Sequence, residues 1–258
     1  MGVPCLPAGR DSPWPDQNCI NSMKIGNNKL IFEVMTSNYI REDKHWGADL
    51  DIIKPTIDEL LSRTKRRIHY LDIGCGTGFH IANIGEIYPE ISITGIDYSP
   101  GMLREARKKI HFLRLKNVNL RQADVTSLDI KQKYDIITFL NNGFGNVFKE
   151  GAPSSKLRRI ILEKIHSLLD NNGYLIISVY NKEKLTQNYG KHLRILGNKS
   201  DFKNGDLFVE YKIANRIVAY YSHWFSKAEL RDILQHSGFK IDFLEKRLCR
   251  FLLRAIKK

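Results

Sequence analysis

The chain has 258 residues, of which 42% are hydrophobic and 10% aromatic, enough for one sizeable core. No apolar run reaches the about 18 residues that a membrane-spanning helix needs, and no secretory signal pattern opens the chain. The four cysteines (Cys5, Cys19, Cys75 and Cys249) are far apart, without a C-x-x-C pair. This predicts a reduced, cytoplasmic protein with no structural disulfide and no zinc or other metal, acting away from membranes.

The formal net charge is +13, with basic runs at 65–67, 104–109 and 250–258. Such a charge is compatible with a surface that binds nucleic acid or an acidic substrate. It is equally typical of solvated helix faces and strand ends, and its spread along the whole chain favours that interpretation. Charge alone therefore selects no partner.

Residues 1–22 differ from the rest of the chain. They hold four of the eight prolines and show no hydrophobic periodicity. We predict a disordered tail over 1–22 and a single domain over 23–258.

Beyond the tail, helical and strand patterns alternate. A helical pattern at 50–63 includes Thr56 and Glu59 at the spacing of an N-terminal capping box. A second helical segment, 154–169, is stopped by "DNNG" at 170–173. Short apolar strands separated by helices predict an α/β fold with a mostly parallel sheet covered on both faces. The predicted strands are 68–74, 91–97, 118–124, 134–140 and 174–180, and the helices between them include 78–88 and 99–110.

The first strand ends in "YLDIGCGTGFH", with glycines at 74, 76 and 78. A strand, a glycine-rich turn and a helix in succession allow the backbone to approach a nucleotide-type ligand closely. The dinucleotide fingerprint G-x-G-x-x-G requires a glycine where this chain has Phe79. Asp72, inside the strand, suits a cationic group such as an amino-acid ammonium. A plain tight turn is the alternative for these glycines.

Two more carboxylates end the next two strands. Asp97 closes the second strand, where an acidic side chain can accept hydrogen bonds from ribose hydroxyls. Asp124 closes the third strand, where a loop or capping aspartate is the alternative. Ligands of open α/β sheets bind beyond the carboxyl ends of the strands, so the three carboxylates indicate one site.

In order along the chain, "LDIGCGTG", "GIDYSPGMLREAR", "ADVTSL", "YDIITFLNNGFG" and "LLDNNGYLIISV" resemble the motifs of class I S-adenosyl-L-methionine-dependent methyltransferases. The resemblance covers about 68–180 and resumes at 223–245. It implies a Rossmann-like seven-stranded sheet with an antiparallel last strand. The helix before the last two strands would begin at a capping box of Ser226 and Glu229 and end at Gly238.

The resemblance also implies a cofactor site for S-adenosyl-L-methionine. Asp72 and the loop with Gly74, Cys75, Gly76 and Gly78 would hold the methionine part, and Asp97 the ribose. Tyr98 and Met102 would flank the adenine, and Asp124 with Val125 would recognise its amino edge. For Met102, ordinary helix packing is the alternative. Leu140 and Asn141 would line the approach to the methyl group. The methyl group of a sulfonium is already electrophilic, so alignment and exclusion of water are the main requirements.

The segment 181–224 lies between the fifth strand and the next helix, and its 206–225 part alternates well enough for two antiparallel strands. We predict a substrate cap there. The candidate catalytic residues are His223, Asn141 and Tyr39, with His223 as a proton acceptor and His192 and His45 as alternatives. Candidate pocket walls are Tyr180, Tyr220, His223, Trp224, Tyr39 and Trp46.

Three functions remain open. The segment "FLNNGFGNVF" lacks the N/D-P-P-aromatic motif of exocyclic-amine base methyltransferases and is similar to small-molecule N- and O-methyltransferases. The first hypothesis is therefore an enzyme that methylates a small molecule. The second is an RNA methyltransferase, for example of the cap guanine-N7 type, that uses the basic surface. The third, a catalytically silent binding domain, is disfavoured by the intact glycine loop and Asp97.

Overall fold

The structure, a computed structural model, describes residues 47–149, 154–184, 205–213 and 216–258. The strands are β1 (His69–Ile73), β2 (Ser92–Asp97), β3 (Val118–Gln122), β4 (Tyr134–Phe139), β5 (Leu169–Tyr180), β6 (Asp206–Ile213), β7 (Arg216–His223), β8 (Phe239–Arg247) and β9 (Arg250–Lys257). The helices are α1 (Leu50–Arg63), α2 (Phe79–Ile87), α3 (Pro100–Phe112), α4 (Ser154–Leu168) and α5 (Lys227–His236). Two short 3₁₀ helices span Gly47–Asp49 and Val125–Ser127.

Seven strands form one sheet in the order β3-β2-β1-β4-β5-β9-β8. The strands from β3 to β5 are parallel to their neighbours, whereas β9 is antiparallel to both β5 and β8. This confirms the predicted seven-stranded, Rossmann-like sheet with an antiparallel last strand. The β6–β7 hairpin forms a separate two-stranded antiparallel sheet, as predicted for the insertion after the fifth strand.

Both faces of the sheet are covered. Every residue of the central strand β4 is buried, including the polar Asp135 and Thr138, as expected for a strand covered on both faces. Ile137 and Phe139 belong to the core cluster that also contains Leu157 and Ile161 of α4. Ile136 belongs to the cluster on the other face, which also contains Ile53 of α1.

The helix predicted over 50–63 is confirmed, whereas one of the two predicted capping boxes is wrong. At α5 the Glu229 amide donates to Ser226 Oγ at 3.1 Å, and Gly238 follows the helix with φ +82°, both as predicted. Thr56, by contrast, lies inside α1, where its hydroxyl donates to the Ile52 carbonyl at 2.7 Å. Glu59 accepts a hydrogen bond from Tyr174 of β5 instead of capping a helix. Spacing alone does not distinguish a cap from an interior turn.

The fifth strand begins earlier than predicted. It starts at Leu169, directly after α4, so that "DNNG" lies within the strand. Asn172 adopts φ +61°, and the pairing with β4 shifts register between Tyr134 and Ile136. The predicted boundary at residue 174 is wrong because this irregular pairing extends the strand.

One cysteine contradicts the prediction of a chain without disulfides. Cys249 is disulfide-bonded, and its partner lies outside the described residues. Because the cysteines are far apart in the sequence, their spacing could not reveal the pairing. The predicted tail over 1–22 also lies outside the described residues. Among the helices that the structure describes, none is both long enough and apolar enough to cross a membrane.

Candidate active site

The glycine loop after β1 is bent by three left-handed residues. Gly74, Gly76 and Gly78 have φ values of +69°, +54° and +80°, which favour glycine over any residue with a side chain. The amides of Gly74 and Cys75 both donate to the Ile96 carbonyl of β2, at 2.8 and 3.0 Å. A Cβ atom added at Gly78 would lie 3.0 Å from the Ala106 side chain of α3, whereas one added at Gly76 would meet no described atom within 4 Å. The loop is therefore packed at Gly78 and open at Gly76.

Asp97 ties this loop to the end of β2. One of its carboxylate oxygens accepts from the Gly76 amide and the other from the Ser99 amide, both at 2.9 Å. The residue is only 8% exposed. Asp97 thus fixes the open part of the glycine loop and places a negative charge beside it.

Asp72 is a buried carboxyl group near the end of β1, at the same edge of the sheet as Asp97. The Thr138 hydroxyl of β4 donates to it at 2.6 Å, and Tyr70 is hydrogen-bonded to that hydroxyl at 2.8 Å. Burial raises the pKa of Asp72 to about 7, helped by the negative charges of Asp97 and Asp49 and opposed by the Thr138 hydrogen bond. A cation bound beside Asp72 would favour its ionised form.

Asp49 is a buried carboxylate that no sequence pattern indicated. It lies in the 3₁₀ helix before α1 and is 2% exposed. Ser178 of β5 donates to its Oδ2 at 3.1 Å, Arg250 Nη1 lies 3.4 Å from the same oxygen, and His80 Nε2 lies 3.7 Å away. In the sequence it is indistinguishable from an ordinary aspartate before a helix, although its side chain makes no capping bond.

The loop after β4 contacts both β5 and the β6–β7 hairpin. Asn141 and Asn142 are left-handed, with φ +50° and +60°, a conformation that asparagine tolerates better than most residues. The Asn141 amide donates to Ser178 Oγ at 2.8 Å, and Arg250 donates to Asn141 Oδ1 at 2.6 Å. Asn142 is fully buried and donates to Ser222 of β7 at 3.0 Å. Leu140, just before this loop, is 5% exposed.

The residues assigned to the adenine end lie at the ends of β2 and β3. Met102 is buried, and its amide donates to Ser99 Oγ at 3.1 Å, which caps α3. Asp124 caps the short helix at Val125–Ser127 by accepting from the amide and the hydroxyl of Thr126. Tyr98 is partly exposed. The adenine contacts of all these residues stay predictions.

Cys75 is a buried part of the same loop. Its thiol is a free cysteine in the described structure. Burial raises the pKa of this thiol well above its usual range, aided by the charges of Asp97 and Asp72. The neutral thiol packs with the core cluster that includes Ile81 and Leu103, so its side chain serves packing while its backbone shapes the loop.

His223 lies at the end of β7 in a network of carboxylates. Its Nδ1 is 2.7 Å from Asp206 and its Nε2 is 2.6 Å from Glu229, and the ring is 3% exposed. Both ring nitrogens are therefore engaged, which favours a role in holding the hairpin against α5. The assignment of His223 as a proton acceptor stays a prediction.

The remaining candidates can be followed only where the structure describes them. Tyr39, His45, Trp46 and His192 are outside the described residues. Of the predicted pocket walls, the rings of Tyr180 and Trp224 are in contact, with centroids 4.8 Å apart. Within the described ranges, no group of three or more His, Cys, Asp or Glu side chains is placed to hold a metal ion.

The comparisons with known proteins identify the family. A family model described as a methyltransferase domain matches residues 64–237, more than half of the chain. The chain therefore belongs to the family of methyltransferase domains.

Solved structures of low sequence identity share the fold. An S-adenosylmethionine-dependent methyltransferase from Clostridium acetobutylicum superposes with a TM-score of 0.63 at 18% identity, covering 90% of this chain and 99% of that one. The magnesium protoporphyrin IX methyltransferase of Synechocystis PCC 6803 with bound SAH gives 0.58 at 19% identity, covering 90% and 96%.

Curated relatives are similar over part of the chain. A malonyl-[acyl-carrier protein] O-methyltransferase from Acetivibrio thermocellus is 29% identical over 109 residues, which are 41% of this chain and 38% of that protein. A trans-aconitate 2-methyltransferase from Methylobacterium nodulans is 43% identical over 67 residues, or 26% and 24% of the two chains. The chain thus matches less than half the length of either relative.

Proposed function

We propose that this chain binds S-adenosyl-L-methionine and catalyses transfer of its methyl group to a nitrogen or oxygen atom of a small molecule. The observation that carries the proposal is the Asp97 carboxylate held against the Gly76 amide, at the open part of the glycine loop. Membership of the methyltransferase-domain family supports it. So does the bound SAH named for the Synechocystis neighbour.

The charges near the loop suit this cofactor. It carries a positive sulfonium and an ammonium group besides one carboxylate, and the carboxyl groups of Asp97 and Asp72 lie at this edge of the sheet to face the positive groups. In this proposal Asp97, beside the loop, accepts hydrogen bonds from the ribose hydroxyls. When bound, the cofactor supplies an electrophilic methyl group, and the residues of this chain align the acceptor with it and exclude water.

A small acceptor is favoured by the relatives. The malonyl-[acyl-carrier protein] and trans-aconitate enzymes are both named for acids. RNA is the alternative acceptor, and the positive net charge of the chain is compatible with it. Transfer of labelled methyl groups into a fractionated extract, with and without RNase, separates the two. Label in RNase-insensitive, low-mass material supports the small molecule, whereas label lost after RNase makes RNA the acceptor.

Replacing Asp97 tests the cofactor site. We expect Asp97→Ala to weaken binding of S-adenosyl-L-methionine about 10- to 100-fold, because charge-assisted hydrogen bonds contribute about 1.5–3 kcal/mol. Titration calorimetry measures the dissociation constant.

The matched control is Asp232→Ala, which removes an aspartate whose side chain is 74% exposed. Its dissociation constant should stay at the wild-type value. Equal affinity of wild type and Asp97→Ala would contradict the assignment of Asp97. Failure of the wild type to bind the cofactor would contradict the proposed function itself.

A further inference from the structure

We infer that Arg250 recognises the methyl acceptor through a carboxylate group of that acceptor, an inference that rests on the proposed function. In the sequence Arg250 was noted only as part of the basic run 250–258. It belongs to the last strand of the chain, and its position, its partners and its unused hydrogen-bonding capacity lead to the same conclusion.

Arg250 lies at the edge of the sheet that holds the cofactor loop. It is the first residue of β9 and is paired in register with Tyr180, the last residue of β5. Because β9 is antiparallel to β5, the start of β9 lies where the parallel strands end. Arg250 Nη1 also donates to Asn141 Oδ1 at 2.6 Å, directly after β4. The guanidinium is thus beside the predicted approach to the methyl group.

The Arg250 guanidinium is held by Asn141 and Asp49 but remains partly exposed to solvent. Its anionic neighbour Asp49 is 3.4 Å away and 2% exposed, whereas the Arg250 side chain is 17% exposed. The acid is therefore buried behind the arginine. Within the described part of the chain, only Nη1 of Arg250 makes a hydrogen bond, to Asn141 and Asp49. Its Nε and Nη2 groups remain for a second ligand, and a carboxylate can accept two parallel hydrogen bonds from such a fork.

The other two arginines of the β8–β9 hairpin have no such capacity. Arg247 pairs with Glu245 at 2.7 Å and with Asp51 at 2.9 Å. Arg254 pairs with Asp242 at 2.7 Å and with Glu59 at 3.2 Å. Each of these two arginines forms ion pairs with two carboxylates. Arg250 forms one ion pair, with Asp49, and its distance of 3.4 Å is longer than any of those four. Arg250 is therefore the arginine of this hairpin that suits an anionic ligand.

The surrounding charges make the site selective. Asp97 and Asp72 place carboxyl groups beside the cofactor loop, so among the described residues a negatively charged acceptor is favoured at Arg250 rather than at the loop. The cofactor, being cationic, is attracted to the acidic side. The two substrates would thus be sorted by charge onto neighbouring positions, with the acceptor's carboxylate against Arg250 and Asn141.

The experiment measures binding of matched acid and amide pairs to the protein saturated with SAH. The probes are malonate with malonamide, succinate with succinamide, and benzoate with benzamide, and titration calorimetry measures each dissociation constant. We expect at least one acid to bind at least 10-fold more tightly than its amide. Arg250→Gln should abolish that preference, and Arg250→Lys should retain part of it because the charge remains without the fork.

Arg254→Gln is the matched control, since it removes a half-buried arginine from the same strand. It should leave the acid preference and the SAH dissociation constant unchanged. The inference is overturned if no acid is preferred over its amide, or if Arg250→Gln and Arg254→Gln behave alike. Unchanged SAH affinity in Arg250→Gln shows that the variant is folded, and absence of SAH binding by the wild type would count against the proposed function rather than against Arg250.

Discussion

Asp72 has an unusual environment for a carboxyl group. It is a carboxyl group inside a strand, 2% exposed, with hydrogen bonding from Thr138 and acidic neighbours at Asp97 and Asp49. An unpaired buried charge is costly, and a cationic ligand would remove that cost. The stability of the free protein is therefore lowered by a group that suits the proposed cofactor.

We predict that Asp72→Asn changes the pH dependence of stability. Because burial raises the pKa of Asp72 to about 7 from 3.8, its contribution to stability is complete below pH 3.8 and lost as the pH rises through 7. The neutral asparagine has no such loss. At pH 8 the variant should be more stable than the wild type by a few kcal/mol at most, since one pKa unit corresponds to about 1.4 kcal/mol.

Denaturant unfolding at pH 5 and pH 8 measures this difference. The advantage of the variant should be larger at pH 8 than at pH 5, because the loss accumulates between pH 3.8 and about 7. The same variant should bind S-adenosyl-L-methionine about 10-fold more weakly at pH 8, because the attraction for its ammonium group is lost. Parallel stability curves for the two proteins would contradict the assignment.

At the scale of elements, the loop after β4 contacts the β6–β7 hairpin, and this contact fixes the position of the hairpin, the predicted substrate cap. The His223 amide donates to the Gly145 carbonyl at 2.9 Å, and Asn142 bonds to Ser222. A Cβ added at Gly145 would lie 2.4 Å from the His223 carbonyl and 2.4 Å from Asn142 Oδ1. The hairpin therefore packs against the loop backbone with no room for a side chain.

We predict that Gly145→Ala displaces the hairpin. Overpacking at a close contact costs about 1–3 kcal/mol of unfolding free energy. Methyl transfer should fall at least 10-fold, while the dissociation constant of SAH changes less than about threefold, because the glycine loop is not touched.

The control is Gly47→Ala, where an added Cβ meets no described atom within 4 Å. It should match the wild type in both measurements. Equal losses of transfer and SAH binding in Gly145→Ala would show that the hairpin and the cofactor loop are not separate units.

At the scale of the whole molecule, stability depends on two hydrophobic clusters separated by one sheet. Ile136 and Ile137 are neighbours in β4, both with 0% exposure, and belong to different clusters. Alternate residues of a strand point to opposite faces, so a single strand contributes to both cores.

We predict that Ile136→Ala and Ile137→Ala each lower the unfolding free energy by about 2–5 kcal/mol, the usual cost of removing a buried aliphatic side chain. Urea unfolding measures both. Leu248→Ala is the control, since Leu248 is 74% exposed and should be nearly neutral. A large loss in only one of the two isoleucine variants would mean that one face of the sheet contributes little to stability.

Much of the fold could be predicted from local patterns. The alternation of strands and helices, the glycine loop, the hairpin and the Ser226 cap all depend on residues close together in the sequence. Two details that depend on contacts between distant residues were predicted wrongly, the capping box at Thr56 and the start of β5. Thr56 and Glu59 fit a capping box, yet both lie inside α1, where Glu59 is paired with Tyr174 and Arg254 of the sheet. The start of β5 was misplaced because its pairing with β4 is irregular.

The sequence by itself determined the fold class and the position of the glycine loop with Asp72 and Asp97, because strand period, turn glycines and strand-end carboxylates are local signals. Only the tertiary structure decided that Asp49 and Arg250 meet near Asn141, and that both nitrogens of His223 are engaged by Asp206 and Glu229. Asp49 and Arg250 are 201 positions apart. Their proximity follows from the order of strands in the sheet, which brings the start of β9 beside the end of β5, and no spacing in the sequence records that order.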